Sequence, residues 1–318
     1  MLNEAFKFCK CEFRLKALED MLLPLNKASM LRGGFGHIFK SLNCANRLSK
    51  SCKECPLNKT CAYYVIFETR DAADIARPYI FSDCDFDDAR RSYRTGDMIS
   101  FELTLFGKAI EYLPHFIYSF IELGNAGLTK RRYKFSLSSV IAKNASSTSS
   151  DAAIQVFDGS QILSQPVMHS WNTIVGSDFK PQSLIAFNFL SPLRFEFANK
   201  LVKPKELTFE MIIQSLTRRI NAIAKYHCCY DPKIDHRSLL NITRDIKPIK
   251  SNLRWQDWTR YSSRQNAKME FGGLVGNIIF QGDLTGFMPY LQLGEIIHIG
   301  KNATFGNGKY SLSISEEK

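Results

Sequence analysis

Twice along this chain a period-two apolar run gives way to a helical stripe and then to more strands, and that order of elements restricts the folds open to it. In residues 6–17, FKFCKCEFRLKA, apolar side chains recur at every second position, the pattern of a strand with one buried face. Residues 27–42 change period: Leu31, Phe35, Ile38, Phe39 and Leu42 fall on one helical stripe, with Ser29 as candidate N-cap. AYYVIFET and RPYIFSD follow, then a charged turn around Asp85–Arg94 and a strand at Gly96–Gly107. A helix over Ala109–Leu123 places Phe116, Ile117, Phe120 and Leu123 on one face, and a strand at Arg132–Leu137 closes the series. The expected class is α+β, with the β-α-β-β-α-β order of a ferredoxin-like (RRM-like) domain.

The second half repeats the plan more loosely. Ser183–Phe197 reads as a strand region, and Leu207–Tyr226 as a helix with Met211, Ile212, Leu216, Ile220 and Ile223 in register. Lys247–Trp258 and Phe271–Asp283 read as strands, Phe287–Gly294 as a short helix and Tyr310–Ile314 as a final strand. At 318 residues the chain exceeds the usual size of a single core. The polar run KNASSTSSDAA, residues 143–153, marks a linker, so the expected domains are 1–150 and 165–318.

Charge narrows the partner. Forty-two Lys and Arg against 31 Asp and Glu leave +11, and a chain this basic suits a polyanion, because each phosphate neutralised releases counterions. No apolar run approaches the ~20 residues of a membrane span, and MLNEAFKFCKCEF lacks the apolar centre of a signal peptide. The expectation is a cytoplasmic protein without a membrane partner.

Four of the nine cysteines cluster: Cys44, Cys52, Cys55 and Cys61, spaced C-x7-C-x2-C-x5-C. Four thiolates inside eighteen residues suffice for a tetrahedral structural zinc, and they suit an iron–sulfur cluster as well. The intervening NRLSKSCKECPLNKT has no hydrophobic period and needs an anchor, so a zinc-knuckle insertion at 44–61 is expected. Such a closed site has no open position for substrate and takes no catalytic part.

Two kinds of basic constellation follow. HIGKNATFGNGKY, residues 298–310, sets Gly300, Gly306 and Gly308 between Lys301 and Lys309. Bare backbone N–H groups there could converge on an anion, with Phe305 and Tyr310 as stacking faces and His298 shaping the loop. A weaker copy, GNAGLTKRRYKFSL at 124–137, carries Lys130, Arg131, Arg132 and Lys134. Arg254, Arg260, Arg264 and Lys268 interleave with Trp255, Trp258 and Tyr261, combining phosphate contacts with stacking surfaces.

The C-terminal stretch Gly272–Leu312, WTRYSSRQ (Trp258–Gln265), MLLPLNKASMLRGGFGHIFKSLNC (Met21–Cys44) and LSPLRFEFANK (Leu190–Lys200) together resemble the CRISPR-associated repeat-cleaving endoribonucleases of the RAMP superfamily. That resemblance implies two tandem ferredoxin-like domains, CRISPR repeat RNA within a precursor crRNA as substrate, and cutting that needs no catalytic metal. It also implies contact with a CRISPR effector or adaptation complex, and a catalytic histidine in or near the first helix of domain one. The residue varies within the family, and some members hold guide RNA without cutting it.

The residues agree in kind. No Walker A loop, GxGxxG turn, HExxH pair or GxSxG elbow occurs. RNA carries its own nucleophile, so aligning a 2′-hydroxyl needs only a base, an acid and positive charge. Of six histidines, His37 in LRGGFGHIFKSL is the candidate, beside glycines that could let RNA approach, with Lys40 one turn on. Arg32 lies about 140° round an ideal helix from His37, so joint use would require a bend at Gly33–Gly34. Lys40 and then Tyr261 are the reserve catalytic groups, and His115, His169, His227 and His236 have no supporting pattern.

Overall fold

A computed structural model describes residues 4–47, 49, 51–68, 75–83, 90–144, 153–174, 183–197, 199–262 and 267–314, with main chain only for 260–262, 267 and 314. The chain divides into two compact units: residues 5–170 with 222–230, and Glu4 with residues 171–221 and 231–318. The first unit thus runs past the expected boundary near 150. A strand at Ile154–Phe157 joins its sheet as an edge, and His169–Ser170 pairs with the start of the first strand.

In the first unit the strands longer than two residues are β1 (Lys7–Ala17), β2 (Tyr79–Asp83), β3 (Met98–Phe106), β4 (Phe135–Lys143) and β5 (Ile154–Phe157). They form one antiparallel sheet in the order β2-β3-β1-β4-β5. Helices α1 (Lys27–Asn43) and α2 (Leu113–Ala126) share a core with it. The aromatic stripe read from the sequence does the packing. Phe35 stacks on Phe116 at 4.6 Å and on Phe120 at 5.5 Å, and Phe13 stacks on Phe101 at 5.0 Å. Phe35 is fully buried, so its truncation to alanine would cost about 3–5 kcal/mol.

The ends of these elements depart from sequence expectation for identifiable reasons. Ser29 is not the cap of α1: it lies inside the helix and is buried, and the orphan N–H of Ala28 donates to the Asp83 carboxylate of β2 at 2.9 Å. Pro114 stands in the first turn of α2, so residues 107–112 form a 3-10 turn before the α-helix begins. The strand expected at Arg132–Leu137 starts only at Phe135, because Leu128–Tyr133 closes a tight turn with Thr129 and Arg132 at positive φ.

In the second unit β6 (Leu184–Leu193), β7 (Lys247–Ser251), β8 (Arg254–Gln256), β11 (Gly273–Gln281) and β12 (Tyr310–Ile314) form an antiparallel sheet. Its order is β7-β11-β6-β12, with β8 also pairing β11, and a separate hairpin joins β9 (Thr259–Ser262) to β10 (Ala267–Glu270). Helix α3 (Phe209–His227), which belongs to this unit as far as Asn221, buries Ile212, Ile213, Leu216 and Ile220, and α4 (Met288–Ile297) buries Leu291 and Leu293. Arg219 sits mid-helix in α3 and donates from Nε to the Ile297 carbonyl at 2.6 Å, closing the C-terminus of α4. Burial lowers its pKa to about 10.

Candidate active site

Helix α1 presents two faces. Leu31, Phe35 and Phe39 point into the core, and His37 and Lys40 are exposed on the other side. Those two side chains, with Ser41 and Cys44 on the same face, line a cavity of about 320 Å³. Cys52, Cys55, Cys61, Asn46, Asn58 and Tyr63 complete much of its wall. Lys40 Nζ stands 5.4 Å from the centroid of the Tyr63 ring, a cation–π contact that holds the ammonium at the rim.

Arg32 does not join His37. α1 runs as one uninterrupted helix through Gly33 and Gly34, and Arg32 turns the other way. Its Nη2 donates to the Tyr79 hydroxyl at 3.0 Å and its guanidinium lies 4.9 Å from the Phe67 ring centroid. The glycines serve packing as well. A Cβ on Gly34 would stand 2.9 Å from Leu123 Cδ1, and one on Gly36 would stand 2.9 Å from Phe67 Cε1. They bring α1 close to α2 and to the Phe67 turn; room for RNA is not what they supply.

The four clustered cysteines do meet. All line the same cavity, at the C-terminus of α1 and in the segment after it. Cys44 caps α1, its N–H donating to Lys40 O at 2.9 Å. Sulfur contacts are loose: Cys44 Sγ to Asn46 O at 3.5 Å, Asn46 Nδ2 to Cys55 Sγ at 3.8 Å, and Cys61 Sγ to Asn43 O at 4.0 Å. Burial, and after it the carboxylate of Glu68, pushes the Cys52 thiol above its ordinary range. Lys40 opposes this, and Cys44 and Cys61 add to the rise. Among the described residues, however, no three His, Cys, Asp or Glu donors are grouped as a single metal ion requires. The donor chemistry of a zinc knuckle is there, and its tight convergence is not.

The glycine loop at 298–310 faces inward. The N–H groups of Ile299, Lys301, Phe305, Gly306, Gly308 and Lys309 already donate to Gly308 O, Arg194 O, Asn302 O, Ala303 O, Pro192 O and Ser191 Oγ. They are not available to cradle a phosphate. Gly300, Gly306 and Gly308 have φ of 79°, 87° and 71°, and a Cβ on Gly308 would fall 1.7 Å from Ile299 O. Positive φ and close approach to the protein's own backbone explain these glycines. His298 is 2% exposed, and its Nδ1 lies 3.2 Å from Asn307 O, so it shapes the loop. Tyr310 is buried and donates to Leu291 O at 2.6 Å, which removes it as a stacking face. Lys301 pairs with the Glu196 carboxylate, and Lys309 is half-exposed.

The other basic residues divide. Lys130, Arg131 and Arg132 are exposed on the turn before β4, with Arg131 Nη1 donating to the Tyr133 hydroxyl at 3.3 Å. Arg254 on β8 and Lys268 on β10 are exposed. Trp255 is half-buried, its Nε1 donating to Asp257 at 2.6 Å, and Trp258 packs on Phe271 at 4.8 Å. Arg260 and Tyr261 lie on β9 with side chains outside the description, and Arg264 lies outside the described residues. Sequence reasoning missed Asn46, Tyr63 and Asp83; an alternation or a stripe gives no sign of a side chain that works across a loop.

Comparison with known proteins now gives this geometry a family. Residues 187–310 match CRISPR-associated endoribonuclease Cas6, and residues 6–167 match the N-terminal domain family AF_1859_N. An uncharacterized protein of Archaeoglobus fulgidus is 23% identical over 310 residues, 91% of this chain and 92% of that one. Among solved structures, a Cas6 product complex superposes with TM-score 0.55 at 15% identity, over 96% of this chain and 99% of that one. Thermus thermophilus Cas6 superposes with TM-score 0.52 at 14% identity, over 98% and 100%. A partial Cas6-RT-Cas1–Cas2 complex gives 0.54 at 16%, over 99% of this chain and 47% of that one. At these identities the structural likeness is one of fold: mixed α and β with antiparallel sheets. The N-terminal domain family AF_1859_N spans half of the chain, which belongs to it, and residues 187–310 are similar to the CRISPR-associated Cas6 endoribonucleases.

Proposed function

We propose that this chain binds CRISPR repeat RNA and cuts precursor crRNA at the cavity on α1. The observation that carries this reading is the pairing of an exposed imidazole, His37, with an exposed ammonium, Lys40, on one cavity wall in a chain whose residues 187–310 match Cas6. In the reaction the 2′-hydroxyl gives up its proton to solvent water and its oxygen attacks the adjacent phosphorus. The bond from phosphorus to the 5′-oxygen then breaks, and His37 protonates the departing oxygen. Lys40 offsets charge on the phosphorane, and Tyr261 is the reserve for that role. The products are a 2′,3′-cyclic phosphate and a 5′-hydroxyl, and no metal is needed at the reacting atoms.

RNA is held through Arg254, Lys268 and the Lys130–Arg132 turn, with Arg260 and Arg264 as further phosphate contacts. The two sheets, with β4 next to β1 in one and β12 next to β6 in the other, are read as tandem ferredoxin-like domains. Since a solved neighbour is a Cas6-RT-Cas1–Cas2 complex, association with an adaptation or effector complex belongs to the same proposal.

A second reading has its own observation. Among the described residues lining the cavity, His37 is the one imidazole, and a single imidazole supplies acid or base but not both at once. A chain that holds repeat RNA without cutting it would show this arrangement. The test is brief incubation with cognate repeat RNA in EDTA, without magnesium, followed by analysis of the ends. Cyclic-phosphate products support cleavage; intact RNA in a stable complex supports the holding role.

A further inference from the structure

We propose that Cys44, Cys52, Cys55 and Cys61 hold an iron–sulfur cluster in the cavity that His37 and Lys40 also line, and that the cluster fixes the end of α1 carrying those two side chains. The positioning part rests on the cleavage reading above; the cluster itself does not.

Three observations converge. All four thiols border one cavity of about 320 Å³, so the C-x7-C-x2-C-x5-C spacing has been folded into a single site. Yet no three donors among the described residues are grouped for one metal ion. A lone zinc at about 2.3 Å from each sulfur draws its four ligands nearly to a point. A four-iron cluster takes one thiolate per iron and spreads them around a core. Four thiols on the walls of one cavity leave room for the second arrangement. Thirdly, Asn46 directs its amide toward Cys55 Sγ at 3.8 Å, the kind of outer contact that orients a ligand and tunes a cluster.

The link to the candidate acid is geometric. Cys44 is the C-cap of α1 and its N–H bonds to the carbonyl of Lys40, one turn after His37. A metal-bound Cys44 pins the last turn of the helix, and with it the directions of Lys40 and His37. None of the described residues between 45 and 60 is fully buried, so the cluster is the anchor of that segment.

The full chain, purified without oxygen, should contain about four irons and four sulfides and show a broad visible absorbance that bleaches on reduction with dithionite. Cys55→Ser should lose that absorbance. One zinc per chain without iron overturns the cluster in favour of a zinc knuckle, and protein with neither metal overturns both. These readouts need no RNA and no variant, so a misfolded Cys55→Ser protein leaves the test intact. For positioning, cluster-free protein and protein reconstituted with iron and sulfide are compared in single-turnover cleavage of repeat RNA. The cluster-free form should cut about ten- to a hundredfold more slowly with repeat affinity within about twofold. Equal rates overturn the positioning role. A cluster-bearing protein that never cuts leaves the cluster standing and overturns the cleavage reading instead.

Discussion

Residues 33–44 and residues 298–310 carry the same residue types, glycines set beside a histidine and lysine, and the fold uses the two stretches in opposite ways. On α1 Gly34 and Gly36 lie against Leu123 and Phe67, while His37, a helical step away from them, stays exposed on a cavity. In the C-terminal loop the histidine is buried, the glycines turn the backbone through left-handed conformations, and at least six N–H groups are spent on the protein's own acceptors. A regular helix must show some side chains outward because its period is fixed. A loop can close on itself, and this one does. Composition alone therefore favours neither as a site; what decides is where the hydrogen bonds and the faces go.

The largest way to break this comparison is steric. Gly308→Val would place a branched side chain on Ile299 O at a φ of 71°, so a loss of more than about 4 kcal/mol is expected. Circular dichroism melting or simple solubility should report an unfolded second unit. A well-folded Gly308→Val protein with impaired RNA binding would restore the loop as an RNA contact. By contrast His37→Ala and Lys40→Ala, at exposed helix positions, should shift stability by no more than about 0.5 kcal/mol.

A smaller effect belongs to the exposed cations. Arg254→Ala with Lys268→Ala should weaken repeat-RNA binding similarly across sequences and lower the salt slope by about one per lost phosphate contact. An unchanged slope would place the RNA elsewhere. Smallest is a pH effect in the first unit. His169 is buried against Phe8, and burial lowers its pKa despite the hydrogen bond of Nε2 to Lys143 O at 3.1 Å. A lowered folded pKa favours the neutral ring, so stability is intact above the ordinary histidine value and falls as pH drops through it toward the folded value. Melting temperature should decline between about pH 7 and pH 5, and His169→Gln should flatten that decline. An equally steep decline in the variant would assign it to other groups.

Much of the fold was legible in the sequence because the packing repeats with the chain. The alternation at 7–17 and the Leu31–Phe35–Phe39 stripe are periodic, and the same periods appear in the burial pattern. What could not be read was tertiary. Asp83 caps α1 from fifty-five residues away, Arg219 closes a different helix from its own, and the strand at 154–157 joins a sheet across an apparent linker. None of these contacts has a local signature. The site divides in the same way. His37, Lys40 and the four cysteines were named from spacing, and one cavity gathers them. Arg32 was named from charge, and the neighbouring Tyr79 and Phe67 claim it.

The comparison rests on the exposed imidazole of α1 being the one that acts. The most direct measurement is single-turnover cleavage of cognate repeat RNA by wild-type and His37→Ala protein, with repeat affinity measured beside it. A positioned general acid is worth about 10²–10⁴-fold, so the variant should cut slower by that factor while binding within about twofold of wild type. A 2′-deoxy nucleotide at the cut site should abolish cutting by both. Wild-type rates from the His37→Ala protein would contradict the account and move the chemistry to Lys40 or Tyr261.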